Sequence, residues 1–184
     1  MRIIGGRKRG MPLQVLKGMH LRPMKDNSRE NIFNIIENYF EYEETKGLDL
    51  FSGTGSVSYE MASRGIPTVM AVDNHPSSVT FIEEQKERLG LPEISVLKMD
   101  VFDFLKATEE QYDLIIIDPP FLMERKQDLI DIIVERQVLA EKGWIIMEHF
   151  KKERFDNHPN LRRTRKYGKS VFSFFGYTTD APTP

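Results

Sequence analysis

The chain has 184 residues, of which 40% are hydrophobic and 29% charged, with a formal net charge of −2, so it is long enough for one domain and too short for several. It contains no cysteine, which excludes disulfide frameworks, zinc knuckles, iron–sulfur clusters and thiol catalysis. Neither a bilayer-spanning apolar run nor a secretory signal is visible in the sequence, so we expect a cytoplasmic protein without a membrane partner.

Charge is distributed unevenly along the chain. Residues 1–30 carry eight Lys and Arg against two acids, residues 31–150 carry ten against twenty-three, and residues 151–184 carry eight against three. Basic ends on an acidic body fit a protein whose ends meet a polyanion while its body holds an uncharged or cationic ligand. Solvated surface charge explains the same pattern, so the charge alone leaves both interpretations open.

Residues 1–26 predict a small basic arm or hairpin, because apolar residues alternate there among glycines and arginines. A helix follows the arm. Asn27 and Glu30 have the spacing of a capping pair, and apolar residues then recur at helical spacing as far as Phe40.

Five buried strands alternate with helices over the central part of the chain. Short apolar runs predict the strands at 47–51, 68–72, 94–98, 112–117 and 144–148. Helical patterns predict the helices at 56–64, 76–90, 102–107 and 126–140. This alternation is typical of a parallel sheet with helices on both faces.

The end of the chain departs from this alternation. Residues 161–167 and 171–176, separated by Gly168-Lys169-Ser170, predict a hairpin with no helix between its strands. Residues 178–184 predict a flexible tail. The expected fold is therefore α/β: one domain over 27–177, built on a mostly parallel seven-stranded sheet with a C-terminal antiparallel hairpin.

Acidic and glycine residues follow the predicted parallel strands, at the edge of the sheet where ligands bind. The first strand leads into Asp49-Leu50-Phe51-Ser52-Gly53-Thr54-Gly55, where glycines allow the backbone to approach a ligand ahead of a helix N-terminus. Asp73 lies twenty residues after Gly53, the spacing at which an acid usually accepts hydrogen bonds from ribose hydroxyls. Asp100 and Asp118 follow the next two strands. The pattern predicts a cofactor that contains a nucleoside.

Two observations favour S-adenosylmethionine over a dinucleotide as that cofactor. The dinucleotide fingerprint requires a third glycine at the position of Ser58. The acidic central segment also suits a sulfonium and an ammonium better than a pyrophosphate.

Asp118-Pro119-Pro120-Phe121 suits methylation of an exocyclic amine on a planar ring. Such an amine is a poor nucleophile, so the enzyme must hold its N–H groups with acceptors that favour the transition state. Asp118 offers a carboxylate, Pro119 a main-chain carbonyl, and Phe121 a face for base stacking. Pro120 stiffens the loop. The competing interpretation is an ordinary Pro-Pro turn followed by a core phenylalanine.

Taken in order, the motifs resemble the RsmD-type family of bacterial 16S ribosomal RNA guanine-N2 methyltransferases, a branch of the class I S-adenosylmethionine-dependent fold. The resemblance covers nearly the whole chain and is carried by Met1-Arg2-Ile3-Ile4-Gly5-Gly6, Leu21-Arg22-Pro23 ahead of Arg29-Glu30, Asp49 to Gly55, Ser63-Arg64-Gly65 and Asp118-Pro119-Pro120-Phe121. The chain departs from the family pattern at Met24, Lys25, Asn27 and Ser58.

The resemblance implies a Rossmann-like fold, S-adenosylmethionine as the cofactor and 16S rRNA, or a small-subunit assembly particle, as the partner. Three groups of residues take roles from it. Asp118, Pro119, Pro120 and Phe121 would position the guanine; Asp49, Phe51, Gly53, Gly55, Asp73 and Asp100 would hold the cofactor; and Arg2, Arg7, Lys8, Arg9 and Arg22 would grip rRNA phosphates.

Other functions stay open on the residues alone. A DNA adenine-N6 methylase usually needs an added target-reading region, and a protein glutamine-N5 methylase would not explain the basic arm. A ribosome-assembly protein that binds RNA and cofactor without turnover is a further alternative. The histidines lack metal-ligand spacing, so we expect no metal site. We also expect a monomer.

Overall fold

The computed structural model describes residues 1–14, 24–168 and 170–177. Its helices are α1 Asp26–Ile36, α2 Ser56–Arg64, α3 Pro76–Leu89, α4 Val101–Ala107 and α5 Lys126–Glu135. Its strands are β1 Lys46–Leu50, β2 Thr68–Asp73, β3 Ile94–Lys98, β4 Tyr112–Ile117, β5 Leu139–Phe150, β6 Leu161–Tyr167 and β7 Ser170–Phe175. None of the helices in these ranges is long and apolar enough to cross a membrane.

All seven strands belong to one sheet with the order β3-β2-β1-β4-β5-β7-β6. The strands β1 to β5 are parallel, whereas β7 runs antiparallel to β5 and to β6. The arm, α1, α2 and α3 pack on one face of the sheet, and α4 and α5 pack on the other. This arrangement confirms the predicted α/β, Rossmann-like fold with its C-terminal hairpin. Below, the "carboxyl edge" is the edge where β1 to β5 end, and the "amino edge" is the edge where they begin.

The predicted start and end of the first helix were wrong. Helix α1 begins at Asp26 after Lys25, which makes no side-chain capping bond, so Asn27 and Glu30 do not form a capping pair. The helix ends at Ile36, and Phe40 beyond it packs its ring edge-on against Trp144, with 5.1 Å between the ring centroids. Phe40 continues the apolar spacing because its side chain packs on the sheet, not because it belongs to the helix.

The predicted boundary between the last helix and the fifth strand was also wrong. Helix α5 ends at Glu135 rather than at residue 140, and β5 spans Leu139–Phe150 rather than 144–148. The chain reverses at Gln137, which adopts a φ of 55°, and an irregularity in the pairing of β4 with β5 takes up the first residues of the strand. Because no glycine or proline stands at this reversal, its sequence resembles a continuing helix.

The first fourteen residues form a small hairpin that packs on the rest of the domain. The amide of Ile3 donates to the carbonyl of Met11 over 3.0 Å, and the amide of Gly10 donates back to the carbonyl of Ile3 over 2.9 Å. Ile3 and Leu13 are buried in the core formed with α1 and α2. A Cβ on Gly6 would lie 1.9 Å from the carbonyl oxygen of Ser63, so the close approach of the arm to α2 requires glycine there. The proposed grip of Arg22 on RNA and the flexible tail at 178–184 lie outside the described residues.

Candidate active site

A pocket of about 450 Å³ opens at the carboxyl edge, within the size range of small-molecule sites. It is formed by the segments that follow β1, β2 and β4, together with Met24. Of the residues predicted for the site, those that line it are Asp49, Phe51, Gly53, Asp73, Asp118, Pro119, Pro120 and Phe121. Among the described residues, the lining contains three aspartates and no lysine or arginine, which favours a cationic ligand over a phosphate.

The loop between β1 and α2 forms one wall of the pocket. Phe51 leaves the strand with a φ of 61°, and the hydroxyl of Ser52 donates to the carbonyl of Asp49 over 2.7 Å. Gly55 adopts a φ of 74°, and a Cβ there would lie 2.7 Å from the ring of Tyr59. Gly55 therefore shapes the loop but does not line the pocket.

Asp49 lies almost entirely buried at the end of β1, with 1% of its surface exposed. Its carboxylate accepts hydrogen bonds from the Ser58 hydroxyl over 2.6 Å and from the Ser58 amide over 3.0 Å. Burial raises the pKa of Asp49 to about 7; the Ser58 bonds oppose this rise, and the nearby charge of Asp73 adds to it. Ser58, which departs from the family pattern, thus serves as the direct hydrogen-bond partner of Asp49.

Asp73 connects two loops of the pocket. One carboxylate oxygen accepts the amide hydrogen of Gly53 over 2.9 Å, and the other accepts that of His75 over 2.9 Å. Gly53 and Asp73, which are twenty residues apart in sequence, are therefore in direct contact. A carboxylate has about four acceptor positions, so the two hydrogen bonds with these amides leave acceptor capacity for a ligand.

Asp100 lies outside the pocket lining. It caps α4, where its carboxylate accepts from the amides of Phe102 over 2.9 Å and Asp103 over 3.3 Å. Its predicted contact with the adenine stays a prediction.

The Asp118-Pro119-Pro120-Phe121 segment forms the opposite wall. The amide of Met123 donates to the carbonyl of Pro120 over 2.9 Å, which closes a turn, and the neighbouring Leu122 is 93% exposed. The ring of Phe121 stacks on that of Phe150, with 4.2 Å between the centroids and 27° between the planes. This ring lines an open pocket and does not fill it.

Lys126 fastens this segment to the end of β5. Its side chain is 3% exposed, and its ammonium donates to the carbonyl of Phe121 over 3.0 Å and pairs with Glu153. The second carboxylate oxygen of Glu153 accepts the amide hydrogen of Phe150 over 2.7 Å. We refer to Lys126 and Glu153 as the loop clamp, because together they hold both members of the stacked aromatic pair.

Sequence reasoning missed the clamp and Phe150. Lys126 and Glu153 are far apart in sequence and belong to no motif, so only the fold brings them together. Phe150 follows the same strand-end rule that identified the other site residues, but the predicted fifth strand stopped two residues too early.

Arg7 and Lys8 of the arm lie at the amino edge, away from the pocket. Arg7 pairs with Glu93 over 2.6 Å just before β3, and the amide of Lys8 donates to the hydroxyl of Ser63 near the end of α2. The nine residues of α2 separate that end from the pocket, a helix length of about 13 Å. Arg2 and Arg9 are exposed on the same hairpin.

Within the described ranges, no group of three or more metal-ligating side chains lies close together. His149 contacts the hydroxyl of Ser173 over 2.8 Å, and burial lowers the pKa of His149. This histidine packs within the sheet.

The sheet order, the strand-end pocket and its acidic lining define the class of Rossmann-like, S-adenosylmethionine-dependent methyltransferases. The sequence model of the family described as "Conserved hypothetical protein 95" matches residues 1–176. The chain therefore belongs to this family, and the resemblance to the RsmD-type family is confirmed.

Relatives and solved structures agree with this assignment. YlbH of Bacillus subtilis is 34% identical over 153 residues, which are 81% of this chain and 82% of that protein. The ribosomal RNA small subunit methyltransferase D of Haemophilus influenzae is 30% identical over 151 residues, covering 80% of this chain and 77% of that protein. A hypothetical protein of Thermus thermophilus superimposes with a TM-score of 0.84 at 26% identity, over 96% of this chain and 99% of that one.

A more distant structure shares the fold alone. The RNA methyltransferase of Salinibacter ruber, solved in complex with S-adenosyl-L-homocysteine, has a TM-score of 0.69 at 15% identity and covers 89% of this chain and 98% of its own.

Proposed function

We propose that this protein transfers the methyl group of S-adenosylmethionine to the exocyclic N2 of a guanine in 16S ribosomal RNA. The observation that carries the proposal is the pocket, in which an acidic, glycine-containing loop faces the Asp118-Pro119-Pro120-Phe121 segment. The names of curated relatives support rRNA as the substrate. The guanine N2 position rests on the family resemblance.

The residues of the pocket fit the proposed cofactor. Asp73 has acceptor capacity for ribose hydroxyls. Its carboxylate also accepts the amide hydrogen of Gly53, and this bond holds the loop after β1 beside Asp73. Asp49 lies in the same wall, and a bound sulfonium or ammonium would favour its ionised form. When bound, S-adenosylmethionine supplies an activated methyl group on a positively charged sulfur.

The opposite wall supplies the groups that the amine requires. In this proposal the carboxylate of Asp118 and the carbonyl of Pro119 accept the N–H groups of the exocyclic amine, which stabilises the developing positive charge on nitrogen; both residues line the pocket. Phe121 offers a ring for the base, and stacking of this kind contributes about 1 to 3 kcal/mol per base. The loop clamp, Lys126 with Glu153, holds this wall in position. Positioning of the amine against the methyl group is expected to supply much of the rate enhancement of methyl transfer.

The arm residues Arg2, Arg7, Lys8 and Arg9 are proposed to contact rRNA phosphates; Arg7 and Lys8 lie at the amino edge, away from the pocket. Removal of the charges at Arg7, Lys8 and Arg9 is expected to weaken RNA binding and to reduce the salt dependence of the binding constant. An unchanged salt dependence in a titration with labelled rRNA would contradict this role.

The substrate is tested by incubating the protein and labelled S-adenosylmethionine with 16S rRNA and, separately, with small-subunit particles from cells that lack the protein. Nuclease digestion and mass spectrometry of the nucleosides are expected to give N2-methylguanosine. DNA and protein fractions serve as parallel acceptors. Label in adenine or in glutamine would identify a different substrate from the one proposed. Binding of cofactor and RNA without transfer to any acceptor would identify a non-catalytic assembly factor.

A further inference from the structure

The C-terminal hairpin reaches the same edge of the sheet as the pocket. Phe150 at the end of β5 pairs with Ser170 at the start of β7, and Ser170 pairs with Tyr167 at the end of β6. The turn between β6 and β7 therefore lies beside the end of β5, at the carboxyl edge. Lys151 and Lys152 follow Phe150 directly.

A shallow depression of about 490 Å³ lies at this junction and is lined by Phe150, Lys151, Lys152, Lys166 and Gly168. We refer to it as the lysine depression. Its three lysines are exposed, and none of them forms an ion pair with another described residue. Two acids that follow the lysines in sequence are engaged elsewhere, because Glu153 pairs with Lys126 and Asp156 pairs with Arg154.

The lysine depression shares a wall with the candidate active site. Phe150 lines the depression, and its ring stacks on Phe121, which lines the pocket. The two cavities are therefore separated by one pair of stacked rings with centroids 4.2 Å apart. Phosphates lie on both sides of any base within an RNA strand, so an anionic backbone must run close to the mouth of a pocket that holds a single base.

We infer that the lysine depression binds the phosphate backbone of the RNA strand immediately beside the nucleotide held in the pocket. The inference rests on the proposed RNA substrate. Charge complementarity supports it, because the described lining of the pocket contains three aspartates and no lysine or arginine, whereas the depression presents three ammonium groups. Lysine binds phosphate as a flexible point charge, and each contact with the backbone releases counterions.

The position of the depression also distinguishes its role from that of the arm. Arg7 lies at the amino edge and is paired with Glu93, whereas the depression lies at the carboxyl edge beside the pocket. The lysines of the depression can hold those nucleotides, and we expect them to determine how well the strand is presented to the pocket.

The test compares two triple variants that lose the same charge at opposite edges of the sheet. The first is Lys151→Gln/Lys152→Gln/Lys166→Gln. The control, Lys106→Gln/Arg136→Gln/Lys142→Gln, removes three exposed cations near the amino edge. Binding of fluorescein-labelled 16S rRNA fragments is measured over a series of salt concentrations, and cofactor binding is measured by calorimetry as a check on the fold.

We expect the depression variant to bind RNA about 10-fold more weakly at moderate salt, with the slope of log K against log salt reduced by about 2, since each contact with single-stranded RNA contributes about 0.7. The control variant and Lys151→Arg/Lys152→Arg/Lys166→Arg are expected to bind like the wild type. Cofactor affinity is expected to be the same in all four proteins.

Equal RNA binding by the depression variant and the control would overturn the inference. A loss restricted to ribosomal particles, with naked rRNA bound as before, would also overturn it, because it would assign the depression to a ribosomal protein. Failure of the proposed function has a different signature: the wild type would bind RNA through the depression and transfer no methyl group to it.

Discussion

Asp49 is a buried carboxyl group whose ionisation opposes folding. Its pKa is raised by burial to about 7, whereas an exposed aspartate in the unfolded chain has a pKa of about 4. The folded state therefore binds the proton more tightly, and the stabilising contribution of this proton is fully present below about pH 4 and is lost as the pH rises through about 7.

Asp49→Asn removes this titration while it keeps an oxygen that can accept from Ser58. We expect the free energy of unfolding of the variant, relative to wild type, to increase between about pH 4 and pH 7 and then to level off. Urea unfolding of the two ligand-free proteins over this pH range checks the prediction. Asp103→Asn, at an exposed position, is the control. Parallel pH profiles for Asp49→Asn and wild type would show that folding does not raise the pKa of Asp49.

The loop clamp makes a second prediction for single residues. Lys126→Met leaves Glu153 without its cation and the carbonyl of Phe121 without its donor. We expect a loss of about 2 kcal/mol or more in the free energy of unfolding, together with a lower rate of methyl transfer and an unchanged cofactor Kd.

A matched control stands beside the clamp. Arg125→Gln removes the neighbouring cation, whose ion pair with Asp128 is exposed, and is expected to change stability by less than about 0.5 kcal/mol. The double variant Lys126→Met/Glu153→Gln should lose less than the sum of its two single variants. Strict additivity would mean that the two side chains are not coupled.

At the scale of elements, the alternation of strands and helices was predictable because it depends on local apolar patterns. Pro76 begins α3 and Gly90 ends it, as the sequence indicates. The reversal at Gln137 was not predictable, since no glycine or proline stands there and the local residues suit a helix equally well. The pocket acids followed from their positions after strands, whereas the clamp depends on contacts between distant segments.

Glu60 in α2 provides the attachment of the arm. It is fully buried, accepts the amides of Ile4 over 2.8 Å and Gly5 over 2.7 Å, and pairs with Arg29 and Arg64. Arg29 is itself fully buried. The Glu60 carboxylate is therefore a buried attachment of the arm to α2, beside the bonds that the Ser63 hydroxyl makes with Gly5 and Lys8.

We expect Glu60→Ala to reduce the free energy of unfolding by about 3 kcal/mol or more, because it leaves two amides and the Nε–H groups of Arg29 and Arg64 without their acceptor. The control Glu37→Ala breaks an exposed pair with Arg64 and should cost less than about 1 kcal/mol. Thermal unfolding and amide exchange of Ile4 and Gly5 measure both effects. Slow exchange at these amides in Glu60→Ala would place the attachment of the arm elsewhere.

At the scale of the whole molecule, the acidic and basic segments of the sequence lie at different places in the fold. The acidic central segment supplies the aspartates of the pocket. The basic N-terminal arm reaches the amino edge, and the basic C-terminal segment reaches the carboxyl edge beside the pocket. Net charge near zero thus conceals a separation of charge that suits a cationic cofactor inside the pocket and a polyanionic strand outside it.

The central claim is that Asp118 acts on the amine in the transition state and does not hold the cofactor. It is tested most directly by measuring, for Asp118→Ala and wild type, the single-turnover rate of methyl transfer to 16S rRNA together with the cofactor Kd. We predict a rate at least about 100-fold lower with a nearly unchanged cofactor Kd. A variant that loses cofactor binding, or that transfers the methyl group at the wild-type rate, would contradict the account.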